Sequence, residues 1–220
     1  MAGLRDLAYY KNKICGCCGY TWDFPIVKED LLSNIQKLYY FELNVCNTCS
    51  CVGTDIEKVG DFEKNIQKNS EYKKILATRN IPFSFVQKKE AYEYALYAYM
   101  CKSKGDMYQC VKSYVMAGLI EGEQRNNYQN SLSFRAERDG NLLKMSEKTE
   151  KTYFTKAYDI LKNLIESNDV TDKVSALLLL SYVCVLLQDK EQAKNILNDV
   201  AKNNKLTASQ VETIKDIARA

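Results

Sequence analysis

Cys15-Gly-Cys17-Cys18-Gly19 and, with 27 residues between Cys18 and Cys46, Cys46-Asn-Thr-Cys49-Ser-Cys51 are the stretches that organise this chain. In each, two cysteines separated by two residues can turn both thiolates towards one ion. Gly19, directly after the second of the first pair, accepts the tight backbone turn and lets amide groups face sulfur. Two such pairs supply the four ligands of a tetrahedral site, and the residues between them suffice for two strands and a connection. Cys15, Cys18, Cys46 and Cys49 are therefore assigned as ligands of a structural Zn2+. Cys17 and Cys51 exceed the requirement and are read as spare thiols beside the site, or as alternates during loading.

The chain has 220 residues and nine cysteines but no histidine. A Ser-His-Asp triad, a Cys-His dyad, a His-ligated haem and a two-Cys, two-His zinc finger are all excluded. Any metal must be held by Cys, Asp and Glu, and four sulfurs are the simplest solution. A thioredoxin-like dithiol would need a βαβ context and a helix N-terminus, which neither pair has. Structural zinc is accordingly preferred to redox chemistry and to an iron–sulfur cluster. A closed four-thiolate site keeps no coordination position for substrate, so its ion should supply folding energy to a module too small for a large core.

Outward from the knuckles, Thr21–Val27 and Tyr39–Val45 are rich in aromatic and β-branched residues and fit two short strands. Between them, Leu31, Leu32, Ile35 and Leu38 have helical spacing over a length that leaves helix or loop open. From Thr54 the signals turn helical. Thr54-Asp-Ile-Glu57 has the pattern of a capping box, as do Ser84-x-x-Gln87 and Thr207-x-x-Gln210. Asn80-Ile-Pro-Phe83 interrupts the helices, since Pro82 disfavours helix at Ile81.

Two helical segments read alike. Tyr94, Tyr97, Ala98, Cys101, Cys110, Tyr114 and Ala117 match Leu177, Leu180, Ser181, Cys184, Ala193, Leu197 and Val200 at equal offsets. A polar turn divides each set, Lys102–Asp106 in one and Gln188–Lys190 in the other. Large residues at i and i+3 with a small one at i+4 make one face of a first helix, and the later small residue lets a second helix cross closely. The pattern resembles the tetratricopeptide repeat, a unit of about 34 residues that stacks into a solenoid. Ala157, Leu161 and Leu164 would be the second helix of a third unit, whose degenerate first helix lies around Leu142–Met145 after Asp139-Gly140. Cys101, Cys110 and Cys184 occupy small apolar positions and should be buried structural thiols.

The combination of knuckles and helices resembles the bacterial family named "domain of unknown function 2225". Cys15, Cys18 and Gly19 match its first knuckle, and Tyr40-Phe-Glu-Leu-Asn-Val45 leads into Cys46 and Cys49 as its second strand leads into the second pair. Asp61-Phe62 and Lys89–Ala95 also fit. Ser50 departs from the usual glycine, and Cys17 and Cys51 are extra. The resemblance implies a zinc ribbon followed by tetratricopeptide-like helices in a bacterial cytoplasmic protein, and it implies no activity.

Net charge is +3 and evenly spread: residues 1–80 hold 11 basic and 10 acidic side chains, and residues 153–220 hold nine of each. No basic tail advertises nucleic-acid binding. The opening MAGLRDLAYYKNK lacks the apolar core of a signal peptide, so a cytoplasmic location is expected. The longest apolar stretch, Val174–Leu187, is 14 residues where a membrane helix needs about 20, and reads as a buried core helix. No phosphate loop is present, and Glu121-Gly-Glu123 reads as a solvated helix end. The expected architecture is mostly α: a small N-terminal zinc ribbon with short β-strands (1–53), then a tetratricopeptide-like antiparallel helical array of about six to eight helices (54–220). The expected function is a non-enzymatic scaffold or adaptor binding a protein or peptide partner, with Tyr92, Tyr99 and Tyr128 as groove candidates. Its oligomeric state is not set by sequence. The alternatives are a nucleic-acid-binding zinc ribbon, marked by salt-dependent affinity, and a redox sensor using Cys17 and Cys51, marked by thiol loss and zinc release under peroxide.

Overall fold

Each knuckle is the tip of its own hairpin. In a computed structural model that describes residues 8–27, 43–46, 48–58, 66, 68–77, 90–131 and 134–220, β1 (Ala8–Ile14) and β2 (Thr21–Val27) pair antiparallel, from Ala8 opposite Val27 to Ile14 opposite Thr21. The first cysteine stretch is their connection. β3 (Asn44–Val45) and β4 (Val52–Gly53) pair in the same sense around the second stretch. The strand expected at Thr21–Val27 is β2 to the residue. Of Tyr39–Val45, Asn44–Val45 form β3, while residues 39–42 and the Leu31–Leu38 segment lie outside the described residues. β1 goes beyond the sequence reading, because its strand character comes from pairing with β2.

The capping pattern at Thr54 does not start an α-helix. Ile56–Lys58 is a 3-10 turn, and Glu57 serves the hairpins instead: its carboxylate accepts from the Ile14 amide at 3.4 Å. Its own amide donates to Asp55 Oδ1. Ile56 is fully buried beneath the knuckles, and its carbonyl accepts from the Gly16 amide at 3.0 Å. Tertiary contacts thus hold the turn where local capping would have released a helix.

Seven α-helices follow among the described residues: α1 (Ser70–Ala77), α2 (Glu90–Lys104), α3 (Met107–Gln129), α4 (Ala136–Glu166), α5 (Lys173–Leu186), α6 (Lys190–Asn203) and α7 (Ala208–Arg219). The proline break and Ser84-x-x-Gln87 lie outside the described residues. Thr207 and Gln210 form the expected capping box at the start of α7.

The two matched segments are the α2–α3 and α5–α6 hairpins, and their turns share the same key bonds. Asp106 N–H donates to the Cys101 carbonyl and Asp189 N–H to the Cys184 carbonyl, both at 2.9 Å. The same two aspartates cap the following helices, accepting from Gln109 and Gln192 amides. Gly105 (φ 81°) and Gln188 (φ 66°) take the left-handed position that ends the first helix. Tyr94, Ala98, Cys101, Cys110, Tyr114 and Ala117 are buried, as are Leu180, Ser181, Cys184, Ala193, Leu197 and Val200. Burial pushes the Cys101 thiol up to about 11, Cys110 to about 12 and Cys184 to about 11, which suits inert core thiols. α5 is a core helix as expected, and no helix among the described residues is long and apolar enough to cross a membrane.

The third unit is not built as expected. α4 runs 31 residues without a break through Asp139-Gly140 and Leu142–Met145, so no separate first helix exists there. Asp139 organises the first turn of α4: its carboxylate accepts from the Arg135 amide, from Tyr128 Oη and from Arg138 Nε. The Arg138 guanidinium holds that carboxyl well below the usual range. Gly140 sits in the same turn, where it interrupts nothing. Ala157, Leu161 and Leu164 are buried as a second-helix face should be, but on a helix long enough to pack along all of α3.

That α3–α4 pairing runs antiparallel, from Tyr114 stacked on Tyr153 (centroids 6.2 Å apart) to Tyr128 bonded to Asp139. Gly118 and Gly122 make it close: a Cβ at Gly118 would strike the Phe154 ring, and one at Gly122 the Glu150 carboxylate. Glu121 is therefore no solvated helix end. It lies mid-helix because α3 continues to Gln129, and it accepts from Ser146 Oγ at 2.6 Å. Burial pushes its carboxyl up. Arg125 pairs with Glu150 at 2.6 Å alongside.

Gly118→Ala should destabilise the protein by about 1–3 kcal/mol despite the better helix propensity of alanine. Denaturant unfolding should show Phe154→Leu, which shrinks the ring that the new Cβ meets, recovering part of that loss. Equal stability of Gly118→Ala and the wild-type protein would contradict the close contact.

Candidate metal centre

The two hairpin tips repeat with an offset of 31 residues. The Cys15 amide donates to the Tyr20 carbonyl at 2.9 Å, and Gly19 N–H to the Cys15 carbonyl at 2.7 Å. In the second tip, Cys46 N–H donates to the Cys51 carbonyl at 2.9 Å, and Ser50 N–H to the Cys46 carbonyl at 2.8 Å. Gly19 (φ 75°) and Ser50 (φ 60°) share the left-handed conformation. The residue that departs from glycine is thus the residue held in a conformation that disfavours a side chain.

The tips meet so that the sulfurs of Cys15, Cys18, Cys46 and Cys49 all lie within 4.8 Å of one another. Cys15 and Cys49 sulfurs are 3.7 Å apart, and those of Cys18 and Cys46 are 3.6 Å apart. A tetrahedral ion with metal–sulfur bonds of about 2.3 Å requires edges of about 3.8 Å. Each contact pairs one cysteine from each hairpin, so an ion here would cross-link both. The group could hold a metal ion, and the donor chemistry suits a soft or borderline one.

The thiols differ in surroundings. Cys15 and Cys46 are buried, Cys49 is half-buried and Cys18 exposed. Burial pushes Cys15 and Cys49 up. Burial also acts on Cys18, but the Tyr20 amide and the neighbouring thiols outweigh it and leave this thiol below its ordinary value. The Cys49 amide faces Cys46 sulfur at 3.5 Å, the amide-to-sulfur geometry expected of a knuckle.

Packing seats this centre on the helices. Cys15, Cys17, Cys46, Cys51 and Ile56 form one small core with Trp22 against it. Leu43 and Val52, from the second hairpin, instead join the main core of the helical array. Tyr72 of α1 is fully buried and donates its hydroxyl to the Ser50 carbonyl at 2.8 Å. That bond helps hold the left-handed turn at Ser50.

Of the tyrosines expected to line a groove, Tyr92 and Tyr128 are in the core and Tyr99 is partly buried. Tyr128 is committed to Asp139. Tyr99 packs edge-on against Tyr72 with centroids 6.1 Å apart. Their spread over several helical faces puts them at helix–helix contacts, where neighbouring helices claim the rings. Cys17 and Cys51, in contrast, do lie beside the centre, in a second group with Cys49.

Three outcomes test the centre. Serine at Cys15, Cys18, Cys46 or Cys49 should abolish retention of one metal equivalent, whereas serine at Cys101 or Cys184 should not. Chelation or acidification should release the ion, because protons compete for the thiolates. The single tryptophan, Trp22, should report that release by fluorescence while far-UV helicity largely persists. Ser50→Gly should raise the stability of the metal-loaded protein by roughly 0.5–1 kcal/mol, as strain is relieved against a larger unfolded-state entropy. A lowered melting temperature for Ser50→Gly would contradict the strained turn.

Comparison of the chain with protein-family models, with curated proteins and with solved structures returns no match.

Proposed function

We propose that this protein is a zinc-stabilised, non-enzymatic scaffold or adaptor of the cytoplasm that holds a protein or peptide partner on its helical array. The observation that carries this reading is the convergence of four thiols from two hairpins. Cys15, Cys18, Cys46 and Cys49 would complete a tetrahedral zinc ion, and a completed ion has no position left for substrate. Its contribution would be structural, tying together β3 and β4, which have only two residues each. Strands this short are not stable in isolation. The resemblance to the family named "domain of unknown function 2225" and to tetratricopeptide helices favours the same arrangement of ribbon and partner-binding helices.

The partner surface is assigned away from the tyrosines, to a cleft of about 440 Å³ formed by α5, α6 and α7. Val185, Leu197, Ile214 and Ile217 give it an apolar floor, and Lys190 and Lys194 stand beside it. This chemistry suits a short segment with an aliphatic anchor and an acidic flank. Selection from a random peptide library should enrich that pattern. Ala201→Trp, which adds bulk to the cleft lining, should abolish binding, and Lys194→Glu should weaken it. Failure to enrich any peptide, or binding indifferent to both substitutions, would sink the assignment.

A further inference from the structure

Cys17 and Cys51 are 7% and 1% exposed, and a four-thiolate site makes no use of them. Together with Cys49 they form a second group whose three sulfurs also lie within 4.8 Å of one another. The repeat that relates the two hairpin tips does not relate these two residues. With the offset of 31, Cys17 corresponds to Thr48, and Cys51 corresponds to Tyr20. Two thiols from unrelated positions, one on each hairpin, therefore converge on one corner of the four-thiolate set. Packing alone would ask for small apolar side chains at these places, and would not ask for three sulfurs in mutual reach.

We propose that Cys17, Cys49 and Cys51 form a second metal subsite for a soft d10 ion that three thiolates satisfy, copper(I) being the biological representative. The Cys49 sulfur would bridge it to the ion of the four-thiolate site. The proposal rests on the reading of Cys15, Cys18, Cys46 and Cys49 as a zinc site. Thiolate ligands select soft ions such as copper(I). A trigonal three-sulfur site with bonds of about 2.3 Å needs sulfurs about 4.0 Å apart, within the observed limit. A zinc ion bound by three sulfurs calls for a fourth ligand, commonly water, and the burial of Cys17 and Cys51 leaves a water little access. Entry of one copper(I) ion displaces the thiol protons of Cys17 and Cys51, with no change of oxidation state.

The test uses the full chain loaded with zinc and kept free of oxygen. One equivalent of copper(I) is supplied as its acetonitrile complex, and the product is weighed by native mass spectrometry. One zinc and one copper per chain are expected. X-ray absorption should then count three sulfur neighbours at copper while zinc keeps four. Cys17→Ala and Cys51→Ala should each retain the zinc and lose the copper to a copper(I) chelator. Displacement of zinc by copper, uptake of a second zinc in preference to copper, or copper retention in both variants would overturn the proposal. Should the variants fail to fold, the wild-type absorption spectrum decides, and two sulfur neighbours at copper would sink the idea. A chain that holds zinc but no copper refutes this subsite alone. A chain that holds neither refutes the zinc reading as well.

Discussion

Four sulfurs drawn from two hairpins are the constraint on which the N-terminal architecture depends. The second tip has little of its own to hold it. The second hairpin pairs only Asn44 with Gly53 and Val45 with Val52, and its turn holds a serine at φ 60°. What makes the arrangement coherent is reciprocity: the Cys15–Cys49 and Cys18–Cys46 contacts each cross from one hairpin to the other. An ion at the centre of such a set would cross-link the two hairpins, and its binding energy would become folding energy.

The hairpins are also not equal partners of the helices. The first contributes Cys15, Cys17 and the Trp22 ring to a small core around the thiols. The second sends Leu43 and Val52 into the core of the helical array and receives the Tyr72 hydroxyl at the Ser50 carbonyl. The four-thiol group is thus seated through its second hairpin. The Tyr72 hydroxyl ties α1 directly to the turn that carries Cys49.

On the helical side, order comes from repeated turn chemistry and from small residues at crossings. Asp106 and Asp189 each satisfy amides at the start of the next helix while donating to the end of the last. Gly118 and Gly122 let α3 lie close against α4. That close approach brings Glu121, Ser146, Arg125 and Glu150 into a polar cluster between two long helices. Helix α4 is long enough to do this because Asp139 organises its first turn, where a sequence reader sees Asp-Gly and expects a break.

The amino-acid sequence by itself determined what is local. The Cys-x-x-Cys spacing, the β2 strand, the Thr207 capping box, the two equivalent helical hairpins and the burial of Cys101, Cys110 and Cys184 follow from contacts within a few residues, or from a periodicity that one helix face imposes. Tertiary structure alone decided what depends on distant neighbours. It made β1 a strand by pairing it with β2, and it diverted Glu57 from a cap to the Ile14 amide. It carried α4 through Asp139-Gly140 and buried tyrosines that have the composition of a groove. It also placed Cys17 and Cys51 beside the same sulfur, since residues 34 apart meet only when two hairpins are docked. Short-range spacing specifies which turn a segment can form, whereas the neighbour each side chain meets is set by packing across the whole chain.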